Sequence, residues 1–153
     1  GVSRLYVFRQ FTDSAEFGNL CNTYEIERGT VALTENRDQN YNVTRFVARN
    51  YTEFLGRTYD VDGLNDWSGR INSGYGMENV AYGFVFSQEC INMNLSNSAY
   101  AKMLSRGIFG RPYDDAGLNA WVSQLNNGTS RETVFWGFAN SQEFANMVAS
   151  YGL

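Results

Sequence analysis

The sequence predicts an all-α protein built from tandem repeats of about four short helices each. Apolar residues recur at three- and four-residue spacing in several segments, which is the period of an amphipathic helix. No segment shows the alternation of apolar and polar residues that is typical of a half-buried β-strand. Residues 46–93 align without a gap on residues 100–147, with 19 identical residues. The copies are therefore expected to pack into one helical domain or two abutting units.

A third, partial copy lies at the N-terminus. Residues 11–17 (FTDSAEF) match the segment that closes both full copies, with Phe11, Ser14 and Glu16 at corresponding positions. We therefore expect the chain to begin inside a repeat.

The repeats divide the chain into four segments. We assign 1–23 to the C-terminal part of a truncated repeat, 24–44 to a polar connector, 45–97 to the first full repeat and 98–153 to the second. The connector is predicted to be a long loop and is a candidate hinge.

The first two helices of each repeat are delimited by glycine and aspartate. Gly56 and Gly110 follow apolar helical segments, at the place of a glycine that ends a helix. Asp60 and Asp114 are predicted to cap the second helix, because a carboxylate accepts hydrogen bonds from free first-turn N–H groups.

The last two helices follow a glycine turn. Gly74 and Gly128 are expected to end the second helix, and Thr129 with Glu132 forms a capping box for the third helix of the second repeat. The fourth helix opens at Ser87 or Ser141.

An arginine follows the helix-ending glycine in both repeats, as Arg57 and Arg111. A guanidinium suits carboxylates and free helix-end carbonyls. We expect an internal clamp, to Glu89 and Glu143 respectively or to the neighbouring copy; a ligand-binding role is the alternative.

The combined pattern resembles a known family. The two full copies share GR-x-YD-x-x-GLN-x-W, then an Asn-x-Gly turn and a GF-x-x-S-x-E segment, and this pattern is similar to the DUF4214 family. The resemblance implies a helical repeat of large bacterial secreted and cell-surface proteins, and leaves the activity undefined. The repeat motif comprises Gly56, Arg57, Asp60, Gly63, Trp67 and Glu89 in the first copy, and Gly110, Arg111, Asp114, Gly117, Trp121 and Glu143 in the second. Cys90 departs from the aromatic residue at Phe17 and Phe144.

Composition argues against several classes of function. The net charge is −4, Lys102 is the only lysine and the arginines are scattered, so nucleic-acid binding and membrane-surface binding are not expected. The amide-rich composition suits an extracellular protein. Cys21 and Cys90 are expected to be two buried thiols, or alternatively one disulfide.

Catalysis and cofactors are not expected. The chain has no histidine, which removes the commonest general base and metal ligand. Glu89 and Glu143 could be imagined as a carboxylate pair, but first-turn acids stabilise a helix. Asp60 and Asp62 form a weak alternative calcium site beside Gly63, although the second copy lacks the acid that corresponds to Asp62.

Two functions remain open. The first is a recognition module that binds a host protein, such as a mucosal glycoprotein or immunoglobulin, or a glycan. Its candidate residues are Trp136, Tyr75, Asp62 and Asp66, which differ between copies, and Asn65 and Asn119, which lie near Trp67 and Trp121 and could form a sugar platform. The second is a structural spacer that packs against other domains of its parent protein. A binder should expose an aromatic or apolar patch, whereas a spacer should expose none or only patches at its ends.

Overall fold

The computed structural model describes residues 1–111 and 115–153, with only the backbone of Asp115, and this described part is helical with no strand. The α-helices are α1 (Arg4–Thr12), α2 (Ala15–Thr23), α3 (Tyr41–Leu55), α4 (Val61–Asn72), α5 (Met77–Val85), α6 (Gln88–Asn92), α7 (Asn97–Phe109), α8 (Asp115–Asn126), α9 (Arg131–Ala139) and α10 (Gln142–Ala149), with a 3-10 helix at Asn36–Asp38. The prediction of a tandem, all-α repeat is confirmed: α3–α6 form one copy and α7–α10 the other.

Helix boundaries follow local capping chemistry. Gly56 and Gly110 end α3 and α7 with φ of 65° and 69°, the left-handed conformation that glycine adopts without steric cost. The Asp60 side chain caps α4 by accepting from the Gly63 N–H. Asp114, predicted to cap the matching helix, lies outside the described residues.

Two predicted boundaries were wrong. Ser130, not Thr129, caps α9, because its side chain accepts from the Thr133 N–H and α9 begins at Arg131. The connector was predicted to be loop to residue 44, but α3 begins at Tyr41, where the Asn40 side chain accepts from first-turn N–H groups.

The core is centred on α3 and α7, which lie against each other. Helix α3 also contacts α4, α5 and α6, while α7 contacts α8, α9 and α10. The interface between the copies is close because Gly107 of α7 faces the buried ring of Phe54, leaving no room for a Cβ. Arg49 donates to the carbonyls of Gly107 (2.6 Å) and Arg106 (2.5 Å) across the same interface.

The N-terminal pair α1–α2 repeats the shape of the pair that closes each full copy. Helix α1 has nine residues, as α5 and α9 do, and Ser14 caps α2 as Ser87 caps α6. The carboxylate of buried Asp38 anchors this pair by accepting from the N–H of Ser3 (2.7 Å) and from its hydroxyl.

Candidate functional site

An arginine clamp joins the ends of each repeat. In the first repeat, Arg57 donates from Nε to Glu89 Oε1 (2.5 Å) and from Nη2 to Oε2 (2.9 Å), and its Nη1 lies 3.4 Å from Asp60 Oδ2. This two-pronged geometry is the strong form of an arginine–carboxylate pair. The expected internal clamp to Glu89 is therefore present, and it ties the α3–α4 turn to α6.

Electrostatics at this clamp favour the charged carboxylates. The Arg57 hydrogen bonds lower the pKa of Glu89. The Gly63 N–H, with a further contribution from Arg57, lowers the pKa of Asp60. Both carboxylates are thus engaged by groups of the protein itself.

Tyr51 fills the interior beneath the clamp of the first repeat. Its ring lies edge-on to Phe84 at 4.7 Å, and the Arg57 guanidinium lies 4.9 Å above it. A Cβ at Gly63 would overlap the Tyr51 hydroxyl, so glycine is required there. Burial, together with the charge of Asp60, raises the pKa of Tyr51 to about 12. The phenol is therefore a neutral packing group at physiological pH.

The second repeat keeps the clamp but changes what lies beneath it. Arg111 Nη2 lies 2.8 Å and 3.0 Å from the two carboxylate oxygens of Glu143, as expected. Ser105 stands at the position of Tyr51, so the large ring that closes the first repeat is replaced by a hydroxymethyl group. Phe109, at the position of Leu55, takes part of the space by stacking on Phe138 at 4.8 Å.

A cavity of about 260 Å³ lies in the second repeat, where Ser105 replaces the ring of Tyr51. Its lining includes Ser105, Phe109, Arg111, Trp121, Phe138 and Glu143. The rings of Phe109, Trp121 and Phe138 form the apolar part of the wall, Ser105 and Ser141 contribute hydroxyl groups, and the Arg111–Glu143 ion pair lies at the side. Pockets that bind small groups commonly combine apolar walls with a few polar atoms. This arrangement suits the insertion of one sugar ring or one protruding side chain.

The repeated tryptophans lie at the edge of the core. Trp67 and Trp121 are partly buried and tilt against Phe84 (5.3 Å) and Phe138 (4.9 Å). A Cβ at Gly83 would lie 2.5 Å from Trp67 Cη2, so each indole ring lies directly on a helix backbone. Arg70 stands 5.0 Å over the Trp67 ring, whereas Gln124 takes that position in the second repeat.

Two of the candidate binding residues from sequence have contacts inside the fold. Trp136 is partly buried between the copies, stacked on Tyr82 at 5.5 Å and edge-on to Phe135 at 5.1 Å. The Asn65 side chain accepts from the backbone N–H of Arg37 (3.1 Å) and so holds the 3-10 helix. These two residues have structural roles in the fold.

The other four candidates are exposed and lie on three different elements. Asp62 and Asp66 lie on α4, where Asp66 pairs with Arg70 at 2.9 Å, while Tyr75 lies in the turn before α5 and Asn119 on α8. The predicted sugar platform thus lacks Asn65 as a free amide.

The two cysteines are buried packing residues. Cys21 and Cys90 are free and buried, so the disulfide alternative is wrong, and burial raises the pKa of the Cys90 thiol.

Among the described residues, no group of three or more His, Cys, Asp or Glu could hold a metal ion. Within that same part of the chain, no helix is both long enough and apolar enough to cross a membrane.

Sequence reasoning missed Ser105 and Phe109, the two residues that distinguish the interiors of the copies. A signal existed: both differ from their first-repeat counterparts inside a helix that is otherwise expected to build core. The candidates were instead residues that differ between the copies, such as Trp136, and amides near the repeated tryptophans, such as Asn65.

Comparison with known proteins agrees with the internal repeat. The model of a family described as "Domain of unknown function (DUF4214)" matches twice, at residues 32–94 and 90–148. The first match starts inside the segment assigned to the connector, which contains the 3-10 helix that contacts α4. No curated protein and no solved structure matches the chain significantly. The two matches cover most of the sequence, and this chain therefore belongs to the DUF4214 family.

Proposed function

We propose that this chain is a non-catalytic recognition module of a secreted or cell-surface bacterial protein, and that it binds a host protein or glycan. The observation that carries the proposal is the second-repeat cavity, where Ser105 replaces the ring of Tyr51. A repeat that served only to build the fold would gain stability from filling this space. A binding site explains why one copy is filled and the other is open.

The charge and chemistry of the chain fit this role. Lysine is nearly absent and tyrosine is abundant, a bias found at protein-binding surfaces. The acids that could have served in catalysis, Glu89 and Glu143, are held in arginine clamps. The amide-rich composition supports an extracellular setting.

The test uses a variant copied from the first repeat. Ser105→Tyr combined with Phe109→Leu reproduces the residues that fill the first copy, so it should close the cavity and keep the fold. Ser123→Tyr, a substitution on the exposed part of α8, is the matched control. The three proteins are immobilised, and purified mucin, pooled immunoglobulin and a glycan array are passed over them.

We expect saturable binding that falls at least tenfold in the double variant and is unchanged in the control. Competition by free sugars would identify a glycan, and persistence in their presence a protein. Binding of equal strength by all three proteins would remove the cavity from the proposal. Absence of binding by the wild-type chain would favour the structural spacer.

The spacer remains the second candidate because of one observation. Phe8 and Phe11, which are 56% and 70% exposed, lie on α1 and form an apolar patch, although other large apolar side chains such as Ile91 (53%) are exposed elsewhere. A spacer would use such a patch to pack against a neighbouring domain.

A further inference from the structure

A groove of about 460 Å³ lies beside the second-repeat cavity. The groove and the cavity have three wall residues in common, Phe109 and the paired Arg111 and Glu143. We call the groove the Arg49 groove and define it by the polar and aromatic residues that line it in addition to those three: Arg49, Asn146, Ser150 and Tyr151. Because the two openings share walls, one ligand can occupy both.

Helix α3 places a tyrosine and two arginines along one face at this groove. Tyr41, Arg45 and Arg49 follow each other at four-residue spacing, which puts them on the same side of a helix. Arg45 is exposed, and its guanidinium carbon lies 5.7 Å from the ring centre of Tyr41 and 5.2 Å from that of Tyr151. Because Tyr151 lines the groove, Arg45 lies at its edge.

Neither α3 arginine is paired with an acid within the described residues. Arg45 contacts aromatic rings only in that part of the chain. Arg49 donates to the backbone carbonyls of Gly107 and Arg106, which carry no net charge. The groove therefore has two guanidinium groups whose charge no carboxylate of the described structure balances.

The acids of this region are engaged by other arginines. Glu143, which lines the groove, lies 2.8 Å from Arg111. Glu53, which lies further along α3, is 3.8 Å from Arg106. The groove thus keeps a local excess of positive charge, although the whole chain has a net charge of −4. Such a local excess attracts an anionic ligand.

The fold of a repeat does not require these two arginines. The second copy has Ala99 and Met103 at the positions of Arg45 and Arg49, and it forms α7 with them. A residue that only builds the repeat is expected in both copies, as the clamp arginines are. The α3 arginines therefore give one side of the chain a property that the repeat alone does not need.

The hydrogen-bonding groups of the groove suit a sugar that carries an anion. A guanidinium has five N–H donors and binds carboxylate or sulfate oxygens well, and Arg49 uses two of its groups on carbonyls. The Asn146 side chain accepts from Gln142 at 3.0 Å through its oxygen, and its amide nitrogen has no acceptor among the described residues. That nitrogen can donate to a sugar hydroxyl, and the ring of Tyr151 offers an apolar face with a polar edge.

The charge of the whole chain limits the size of the anion. A net charge of −4 repels a polyanion such as a heavily sulfated polysaccharide. Two arginines at one groove match a ligand with one or two negative charges. A single acidic sugar at the end of an otherwise neutral glycan meets both conditions.

We propose that the Arg49 groove binds an acidic sugar, with a carboxylate or sulfate group held by Arg45 and Arg49. The inference rests on the proposed function and names the class of glycan that the module recognises. The neutral part of the glycan extends past Phe109 into the second-repeat cavity.

The experiment compares matched sugars that differ in one anionic group. Sialyllactose is tested against lactose, and 6-sulfo-N-acetylglucosamine against N-acetylglucosamine, by chemical-shift titration of the full chain. We expect saturable binding and at least a roughly tenfold preference for the acidic member of one pair. The pair with the larger preference identifies the anion as carboxylate or sulfate. The preference should shrink as salt is raised, because exposed charges are screened.

Variants copied from the second repeat locate the preference. Arg45→Ala and Arg49→Met reproduce Ala99 and Met103, and each should weaken binding of the acidic sugar by about three- to tenfold while leaving the neutral sugar unchanged. Arg70→Ala removes an equal charge from an exposed arginine of α4 and is the matched control. Urea unfolding of each variant shows that the fold is kept, and Arg45→Ala tests the proposal even where Arg49→Met loses stability.

Three results would overturn the proposal: equal affinity for both members of each pair, an equal loss in the Arg70→Ala control, or stronger binding of a glutamate-rich peptide than of any acidic sugar. The Ser105→Tyr/Phe109→Leu variant should weaken both members of a pair by the same factor and keep the preference. Binding of immunoglobulin without binding of any glycan would overturn this proposal and leave the proposed function standing. Acid preference without an effect of closing the cavity would do the reverse.

Discussion

Replacing Asn50 with leucine should stabilise the protein. Asn50 lies on α3 at 1% exposure, and neither its amide nitrogen nor its amide oxygen has a hydrogen-bond partner among the described residues. The second repeat has Leu104 at this position, 0% exposed. The chain itself therefore supplies the template for the substitution.

The magnitude follows from two stabilising contributions and one destabilising contribution. An unsatisfied buried polar group costs about 1–3 kcal/mol, and a buried leucine side chain contributes a further ~1.5–3 kcal/mol over an exposed one. Imperfect fit of the branched side chain costs about 1–3 kcal/mol. The net expectation for Asn50→Leu is an increase of about 1–3 kcal/mol in the free energy of unfolding.

The assay is urea unfolding followed by circular dichroism, with the midpoint rising and the slope unchanged. Thermal unfolding should shift upward by about 2–4 °C for each kcal/mol. The reciprocal change, Leu104→Asn, should lower stability by about 3–5 kcal/mol. A neutral or destabilising Asn50→Leu with unchanged slope would refute the reasoning, because it would mean that the amide has a partner in solution.

Two further predictions concern the copy interface and the clamp. Gly107→Ala should destabilise the protein by about 1–3 kcal/mol, because the alanine Cβ would come within 2.6 Å of Phe54 Cζ. This loss should exceed the helix preference of alanine and is measured as a lower denaturant midpoint. A gain in stability would show that the interface between the copies can open. The pKa of Glu89 is lowered in the fold, chiefly by its hydrogen bonds from Arg57, so its contribution to stability is present above the unfolded pKa of about 4 and is lost as pH falls through the lower folded value. Glu89→Gln should therefore flatten the acid side of the stability profile, measured as midpoint against pH, and an identical profile would contradict the clamp.

Local chemistry made much of the fold predictable. Gly56 and Asp60 ended and capped helices where the sequence placed them, because caps depend on a few neighbouring residues. The Arg57–Glu89 clamp could be predicted because a recurring arginine and a recurring acid needed partners. The error in the cap of α9 was also local, because the capping residue is Ser130 and the sequence predicted the adjacent Thr129.

The candidate site was less predictable. Trp136 was a binding candidate because it differs between the copies, and Asn65 because it lies near Trp67, but each one contacts a segment distant in sequence. Contacts with the 3-10 helix and between α5 and α9 arise only when the helices pack. Periodicity along one helix carries no information about which neighbour will cover it.

The sequence by itself determined the helices, their caps, the duplication and the family, because these depend on short-range spacing that recurs in the chain. Only the tertiary structure decided that Tyr51 closes one repeat while Ser105 leaves a cavity in the other. The physical reason is that filled volume and buried area are sums over side chains from several helices. The sequence of one segment therefore does not determine how much of its surface is buried or whether a cavity remains.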